Sequence, residues 1–418
     1  MSNLSANNLV SAVLAVFFSL LITTAAVTAQ SKPQKTERPT GDGKKNTRPS
    51  PEDVKKAEEE RKRLEEEKNA VIDPTVEKIE TNIVNVDAVV FNKKTGQIIT
   101  GLKKENFTIF ENGVKKDISN FTTPESPITV TLVVEYSRFS ETLGRAAGGY
   151  FEPGTHEVLR PVAHFLTRFI KPPNDYASVI AFDLRPTTIT DFTNDPKRIN
   201  DTMNLLLRNK PAFSDSNLHE ALRFALLGGK GDAVVLEDTK DRTAEFGGMI
   251  NVKAKRRAII LVASGINTFG GVSYDEIRRI IQETGIPIYI ISTGNLFCKL
   301  YCDRLDPSRV MPGTPDRLTF LQAQNAMNTI AKESGGAHFS MTFASEAPDY
   351  LNSINALLRN QYSLAYDLNE PHEPGKKYKL QVKVDVDGDG VLDEKVYVVQ
   401  HKPYYTTPKA NVPKPARK

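Results

Sequence analysis

The sequence predicts an α/β protein whose core is a doubly wound, parallel sheet covered by helices on both faces. Three observations lead there. Residues 128–134 (ITVTLVV), 258–263 (AIILVA) and 286–292 (IPIYIIS) are apolar, β-branched runs without polar alternation, the pattern of strands buried on both sides. Between them lie segments with helical spacing and capping residues, so strand and helix signals alternate. The first run also ends abruptly in an acid and hydroxyls, Glu135, Ser137 and Ser140. In open α/β sheets ligands bind beyond the carboxyl ends of the strands, where such residues would meet.

In chain order, the 418 residues are enough for two or three domains. Residues 9–24 are apolar, and Val27-Thr28-Ala29 offers small residues for cleavage before Gln30. Residues 1–29 therefore read as a signal peptide, and the mature protein as secreted or periplasmic. The alternative is membrane anchoring through an uncleaved signal, for which the apolar run is short. Residues 30–50, rich in Pro, Lys, Thr and Gly, read as a disordered linker. Ser50 and Pro51 open a charged helix over 51–71, with Glu58/Lys62 and Glu59/Arg63 at helical spacing. Its thin apolar stripe favours a solvated spacer over a weak coiled coil.

Residues 75–123 alternate polar and apolar, and Asn112-Gly113 between two strand-like runs signals a hairpin. This small β domain is thin for independent stability. The α/β domain spans 126–360, with helices at 153–170, from Pro196 to Leu207, after a Ser214-Asp215-Ser216 cap, and from Tyr274 to a stop at Gly285. Two more helices flank the short strand at 337–341. KAKRR (253–257) reads as a solvated entry into the second buried strand. Residues 361–405 return to β texture and complete the small β domain, which makes the α/β domain an insertion between its two parts. Residues 406–418 form a Pro- and Lys-rich tail expected to be disordered.

Three stretches now carry a family resemblance: residues 86–121 (VDAVVFNKKTGQIITGLKKENFTIFENGVKKDISNF), 265–281 (GINTFGGVSYDEIRRII) and 360–368 (NQYSLAYDL). The α/β segment resembles a von Willebrand factor type A (VWA) domain, and the chain after residue 75 is similar to the VWA-related proteins of acidobacteria. The resemblance implies a Rossmann-like VWA domain that binds proteins through the face where its metal loops meet. Type A domains hold Mg²⁺ or Mn²⁺ with an Asp-x-Ser-x-Ser after the first strand, a Thr from a later loop and an Asp after a later strand. Here Glu135 stands for the first Asp and Ser137 for the first Ser. Phe139 takes the second Ser position, with Ser140 one place late; Ser216 takes the Thr position and Ser264 that of the last Asp. One carboxylate is lost and the other lengthened, which removes charge that a hard divalent cation needs. The expectation is a degenerate metal-ion-dependent adhesion site that no longer holds Mg²⁺ or Mn²⁺; a remodelled working site is the alternative.

A second constellation is better formed. Asp385, Asp387 and Asp389 stand at positions 1, 3 and 5 of a calcium-loop pattern, with Gly390 at 6, the Val391 carbonyl at 7 and Asp393 at 9. Position 12, where a bidentate Glu belongs, is Val396. The flanking segments read as strands, so the loop is expected to tip a hairpin and to hold Ca²⁺ as a structural clip. The plainer alternative is an acidic, Gly-containing turn. Cys298 and Cys302 are expected to form a local disulfide, the default in an exported protein.

No catalytic motif stands out. There is no Gly-x-Ser-x-Gly, no P-loop and no dinucleotide-binding turn. A net charge of +4, spread between a basic leader and a Lys/Arg tail, implies no nucleic-acid face. The expected function is protein–protein interaction or adhesion with an extracytoplasmic protein partner and no membrane span once the signal is cleaved. The insertions at 228–256 and 294–318 are the candidate recognition loops. A metal-dependent adhesion module and an uncharacterised hydrolase are the alternatives.

Overall fold

The computed structural model describes residues 83–137, 154–302 apart from 210, 212, 214 and 234–242, and 317–407 apart from 369 and 371, with scattered residues between 55 and 72. The expected signal peptide, linker and most of the charged helix lie outside the described residues, as do Ser140 and all of the tail beyond Thr407.

The α/β domain begins with β5 (Ile128–Glu135) and continues through α1 (Gly154–Phe169), β6 (Tyr176–Phe182), β7 (Pro186–Thr193), α2 (Pro196–Arg208), α3 (Leu218–Leu227), β8 (Gly229–Ala233) and β9 (Thr243–Phe246). It closes with β10 (Arg256–Ala263), α4 (Tyr274–Thr284), β11 (Ile288–Ser292), α5 (Gly294–Tyr301), α6 (Arg317–Ser334), β12 (His338–Ser340) and α7 (Ala347–Arg359). Among the described residues the sheet order is β12-β11-β10-β5-β6-β7-β8-β9. β12, β11, β10, β5 and β6 run parallel, and β7 turns back against β6.

The unbroken apolar runs have a direct cause, because alternate residues of one strand feed two cores. Ile260 and Val262 of β10 pack with Ile128, Val130 and Leu132 of β5 under α1, α2 and α7. Ile259 and Leu261 point the other way, with Val133, under α3, α4 and α6. Every residue of β5 is buried, and each such Val, Leu or Ile contributes about 1.5–3 kcal/mol relative to exposure. Helix ends follow their capping residues: Asp195 accepts the Lys197 N–H (2.9 Å), Ser273 accepts that of Glu276 (3.2 Å), and Gly285 ends α4 at φ +59°.

The β domain is a sandwich of two antiparallel sheets. β1 (Ile83–Asn92), β4 (Ile118–Thr122), β13 (Tyr362–Asp367) and β15 (Tyr397–Gln400) form one, in the order β15-β1-β13-β4. β2 (Phe107–Glu111), β3 (Val114–Lys116), β14 (Lys377–Val384) and β16 (Tyr404–Thr406) form the other, in the order β16-β14-β2-β3. Val84, Val86, Tyr362 and Leu364 face Ile109, Leu380 and Val382 between them. N- and C-terminal segments thus build one frame, and the α/β domain is inserted into it.

Several expectations need correction. The run KKDISNF divides at Asp117, its first half pairing with β2 and its second with β13, because the two halves serve opposite sheets. β14 pairs with β2 and β16 while β15 pairs with β1, so the acidic loop crosses between sheets and does not tip a hairpin. Asn217, not the Ser214–Ser216 run, is the N-cap of α3. The 228–256 insertion is in part β8 and β9, which extend the sheet edge. The last strand reaches Thr406 and Thr407 is buried, so the body ends beyond residue 405.

The basic run is not solvated at its end. Arg256 is fully buried and donates to the carbonyls of Pro124 (2.6 Å), Ser126 (2.5 Å) and Leu358, tying the entry of the inserted domain to its exit. The charged helix is also anchored: Val71 and Ile72 are buried, the Val71 carbonyl accepts the Lys253 N–H (2.9 Å), and Ile72 bridges to Val252. Cys298 and Cys302 form the expected disulfide.

Candidate functional site

Chain connectivity reverses between β5 and β10: β6 and β7 lie to one side of β5, β11 and β12 beyond β10. Glu135 ends β5 and Ser264 follows β10, so both stand in the crevice where doubly wound sheets bind ligands. The loop after β10 wraps over the start of α3. Ser216 donates its N–H to the Thr268 hydroxyl (2.8 Å) and accepts the Thr268 N–H (2.8 Å).

Glu135, Ser137, Ser216 and Ser264 converge there, all buried. The Ser137 hydroxyl donates to Glu135 Oε1 (3.0 Å), and the Ser264 N–H donates to Oε2 (2.6 Å). Burial pushes the Glu135 carboxyl up, opposed by the Ser264 N–H and by the hydroxyls of Ser264, Ser137 and Ser216. The Ser216 hydroxyl faces the carboxylate but falls short of hydrogen-bond geometry. Asp183, just past β6, is a carboxylate at this end of the sheet that sequence spacing did not single out. It accepts the N–H groups of Arg185 (3.3 Å) and Phe213 (3.3 Å), and burial raises its pKa against those bonds.

The rim of this face is apolar. Phe213 and Phe269 are each more than half exposed, at 51% and 53%. Both are held by backbone bonds close to the crevice, the Phe269 N–H to the Ser216 carbonyl (3.4 Å) and the Phe213 N–H to Asp183. Phe343, past β12, and Leu318 and Leu321 on the first turns of α6 are exposed as well. That end of α6 abuts the end of β11, since a side chain at Gly294 would meet Phe320 at 3.3 Å and Gln324 at 2.6 Å.

The acidic loop is the second candidate. Among the described residues, Asp385, Asp387 and Asp393 are the one group of three acids, His or Cys arranged for a cation, with ligand oxygens within 4.8 Å of one another. Asp385 accepts the N–H groups of Gly388 (2.8 Å) and Gly390 (2.8 Å), Asp389 that of Val391 (2.7 Å), and Asp393 that of Val386 (2.8 Å). Gly388 and Gly390 have φ of +78° and +89°, which only glycine adopts without strain. Burial would raise the pKa of Asp385, but the two glycine amides bring it below the ordinary value. The Asp389 amide lowers that of Asp387, yet burial and the charges of Asp389 and Asp393 raise it overall.

A doubly wound sheet, its helices on both faces and an acid-and-hydroxyl crevice at the strand ends give the inserted domain its character. It is VWA-like in fold. No protein-family model and no curated protein matches the sequence. Among solved structures, the chain is similar to proximal thread matrix protein 1 from the mussel byssus, at 12% identity and TM-score 0.36 over 59% of this chain and 50% of that one. It is similar to the PilB minor pilin from Streptococcus sanguinis at 12% identity and TM-score 0.38, over 56% and 62%. The SpRpn10 VWA domain matches at 10% identity and TM-score 0.33, over 54% and 94%. The chain thus spans half the length of the matrix protein. Among the described residues no helix is long and apolar enough to cross a membrane.

Proposed function

We propose that this is an exported VWA-like module that binds an extracytoplasmic protein through the carboxyl-end face of its sheet, without a metal ion in the crevice. The observation that carries the reading is the engagement of both Glu135 oxygens by Ser137 and Ser264. An Mg²⁺ or Mn²⁺ ion would have to displace both donors from a carboxylate that burial already biases toward the neutral form. The residues present do not fit that ion. Recognition then rests on the apolar rim of Phe213, Phe269, Phe343, Leu318 and Leu321, because large exposed aromatics over a rigid scaffold make effective interface anchors. Binding, not catalysis, is the role this face supports.

The acidic loop fits Ca²⁺. Three carboxylates within 4.8 Å of each other suit a cation with oxygen bonds of about 2.3–2.6 Å, and the loop joins one sheet of the frame to the other. A Ca²⁺ ion there would clip the sandwich.

Thermal unfolding of the full chain in EDTA, Mg²⁺ and Ca²⁺ tests both parts. The expected outcome is a higher midpoint with Ca²⁺, abolished by Asp387→Ala, and no specific rise with Mg²⁺. A rise with Mg²⁺ that disappears in Glu135→Ala would refute the metal-free crevice.

A further inference from the structure

The β16-β14-β2-β3 sheet of the frame turns a basic face to solvent. Leu380 and Val382 of β14, Ile109 of β2 and Tyr405 of β16 point into the sandwich, so the residues that alternate with them point away from it. The strand registers align these outward residues in rows. Lys379 stands opposite Tyr404, Gln381 opposite Phe110, Phe110 opposite Lys115, and Lys383 opposite Thr108. Lys377, opposite Thr406, begins the same series. No acidic residue occupies an outward position on these strands. Glu111, at the end of β2, faces inward, where the Tyr366 hydroxyl and His372 Nε2 (2.9 Å) hold it.

The face stays positive once the partners of its lysines are counted. Lys383 is paired with Glu394, from the acidic loop beyond β14, and its ammonium lies over the Phe110 ring, 5.1 Å from the centroid. Lys377 lies in the field of Glu333, at the edge where Thr406 meets Gln282 of α4 (3.4 Å) and the face closes. Lys115 and Lys379 are exposed and make no ion pair among the described residues. Lys379 stands four residues back from Lys383 along β14, about 13 Å at about 3.3 Å per residue. That exceeds the distance of about 8–10 Å over which exposed charges stay coupled in physiological salt.

We propose that this face binds an anionic polysaccharide, a polymer of sugars that carry carboxylates or sulfates. A sheet face is broad and shallow and does not enclose a small molecule, so a ligand there gains affinity by repeating weak contacts along its length. Lysine suits such a ligand. Its compact charge on a flexible stem follows anions whose positions along a polymer vary, where arginine would mark a fixed bidentate partner. The Tyr404 ring, 41% exposed and opposite Lys379, offers a sugar ring an apolar surface with a polar tip. Gln381 supplies hydrogen bonds for hydroxyls. A protein partner fits less well, because interface cores are depleted in lysine and built on apolar area that rows of Lys, Gln and Thr do not provide.

The test is binding of the full chain to immobilised polygalacturonate and dextran sulfate, with uncharged dextran, poly-glutamate and duplex DNA for comparison. Binding to an acidic glycan and not to dextran is expected, with a loss of about tenfold or more between about 50 and 200 mM salt. The preferred glycan assigns the charged group as carboxylate or sulfate. Lys115→Glu combined with Lys379→Glu, both at exposed positions, should lower the affinity about tenfold or more and leave the unfolding midpoint in place. Tyr404→Ser should weaken glycan binding and leave any attraction to poly-glutamate as it was. No binding to either glycan, equal binding of dextran, or an affinity unchanged in the double variant overturns the proposal. Poly-glutamate or duplex DNA bound as tightly as the glycans overturns it too, since the face would then read charge alone. Phe269→Ser, on the rim of the crevice, should leave glycan binding intact, so this proposal and the protein-binding reading stand or fall separately.

Discussion

Lys402→Met should make the protein more stable at neutral pH, and the gain should vanish as the solution becomes alkaline. Lys402 sits on the turn between β15 and β16 and is 5% exposed. Its ammonium lies against the end of α4, where a side chain at Gly285 would meet Nζ at 2.3 Å, and its backbone abuts Gly335. Burial lowers its pKa from 10.5 to about 8; Asp87 opposes this and Arg257 adds to it. The sign follows from linkage. Between these two values the unfolded chain binds more protons than the folded one, so stability rises with pH across the window. Below it, holding the charge inside costs roughly 3 kcal/mol, at about 1.4 kcal/mol for each tenfold change in proton affinity. Methionine fills a similar volume without the charge. Urea unfolding of both proteins at pH 7 and pH 10 measures the difference, and other groups that titrate in this range cancel in the comparison. The stability advantage of the variant should shrink by about 2–3 kcal/mol between the two conditions. A difference that stays constant within about 0.5 kcal/mol would refute the argument, because it would mean the lysine titrates normally in the fold.

Three further outcomes are expected. Arg256→Met strips the donors from the Pro124, Ser126 and Leu358 carbonyls and should cost about 2–4 kcal/mol, read as a lower urea midpoint. Glu135 has its pKa raised by burial, so wild-type stability should fall as pH climbs from the unfolded value through the folded one; Glu135→Gln should flatten that part of a stability-against-pH curve. An unaltered slope would count against a buried, proton-retaining carboxyl. Gly228 has φ +76°, and a Cβ there would lie 2.3 Å from the Phe246 carbonyl oxygen, so Gly228→Ala should lose about 2–4 kcal/mol in the same urea assay.

The sheet was legible because its chemistry is local. Strands such as β5 and β10, feeding cores on both faces, need apolar residues on both sides and show them, in ITVTLVV over 128–134 and AIILVA over 258–263. Cap residues such as Asp195, Ser273 and Gly285 act within their own turn, so the boundaries of α2 and α4 could be read from them. Pairing across the frame was not legible in the same way. That β14 joins β2 and β15 joins β1 depends on which face each strand turns to a distant partner, and an Asp-Gly turn between two strands looks like a hairpin whichever sheets they enter. The burial of Arg256 was hidden for a related reason: its acceptors are backbone carbonyls far along the chain, which leave no mark on neighbouring residues. At the crevice, the family resemblance named Glu135, Ser137, Ser216 and Ser264, and the fold places the three serines around the Glu135 carboxyl. The resemblance did not show that a backbone N–H from Ser264, and not its side chain, would occupy Glu135 Oε2.

The placement of β1 has a consequence for the order in which the protein assembles. Both of its neighbours, β13 and β15, come from the far end of the chain, as does β14, the partner of β2. During synthesis the first strands must therefore wait until the last are made. The cost of joining such distant segments grows with the length of free chain between them. A folded insert removes most of that length, because Arg256 already holds its two ends side by side. The α/β domain thus serves as a template on which the frame closes last. A nascent chain stopped before Tyr362 would carry a finished interior domain with a bare, unpaired strand edge beside it, the kind of surface that recruits chaperones or aggregates.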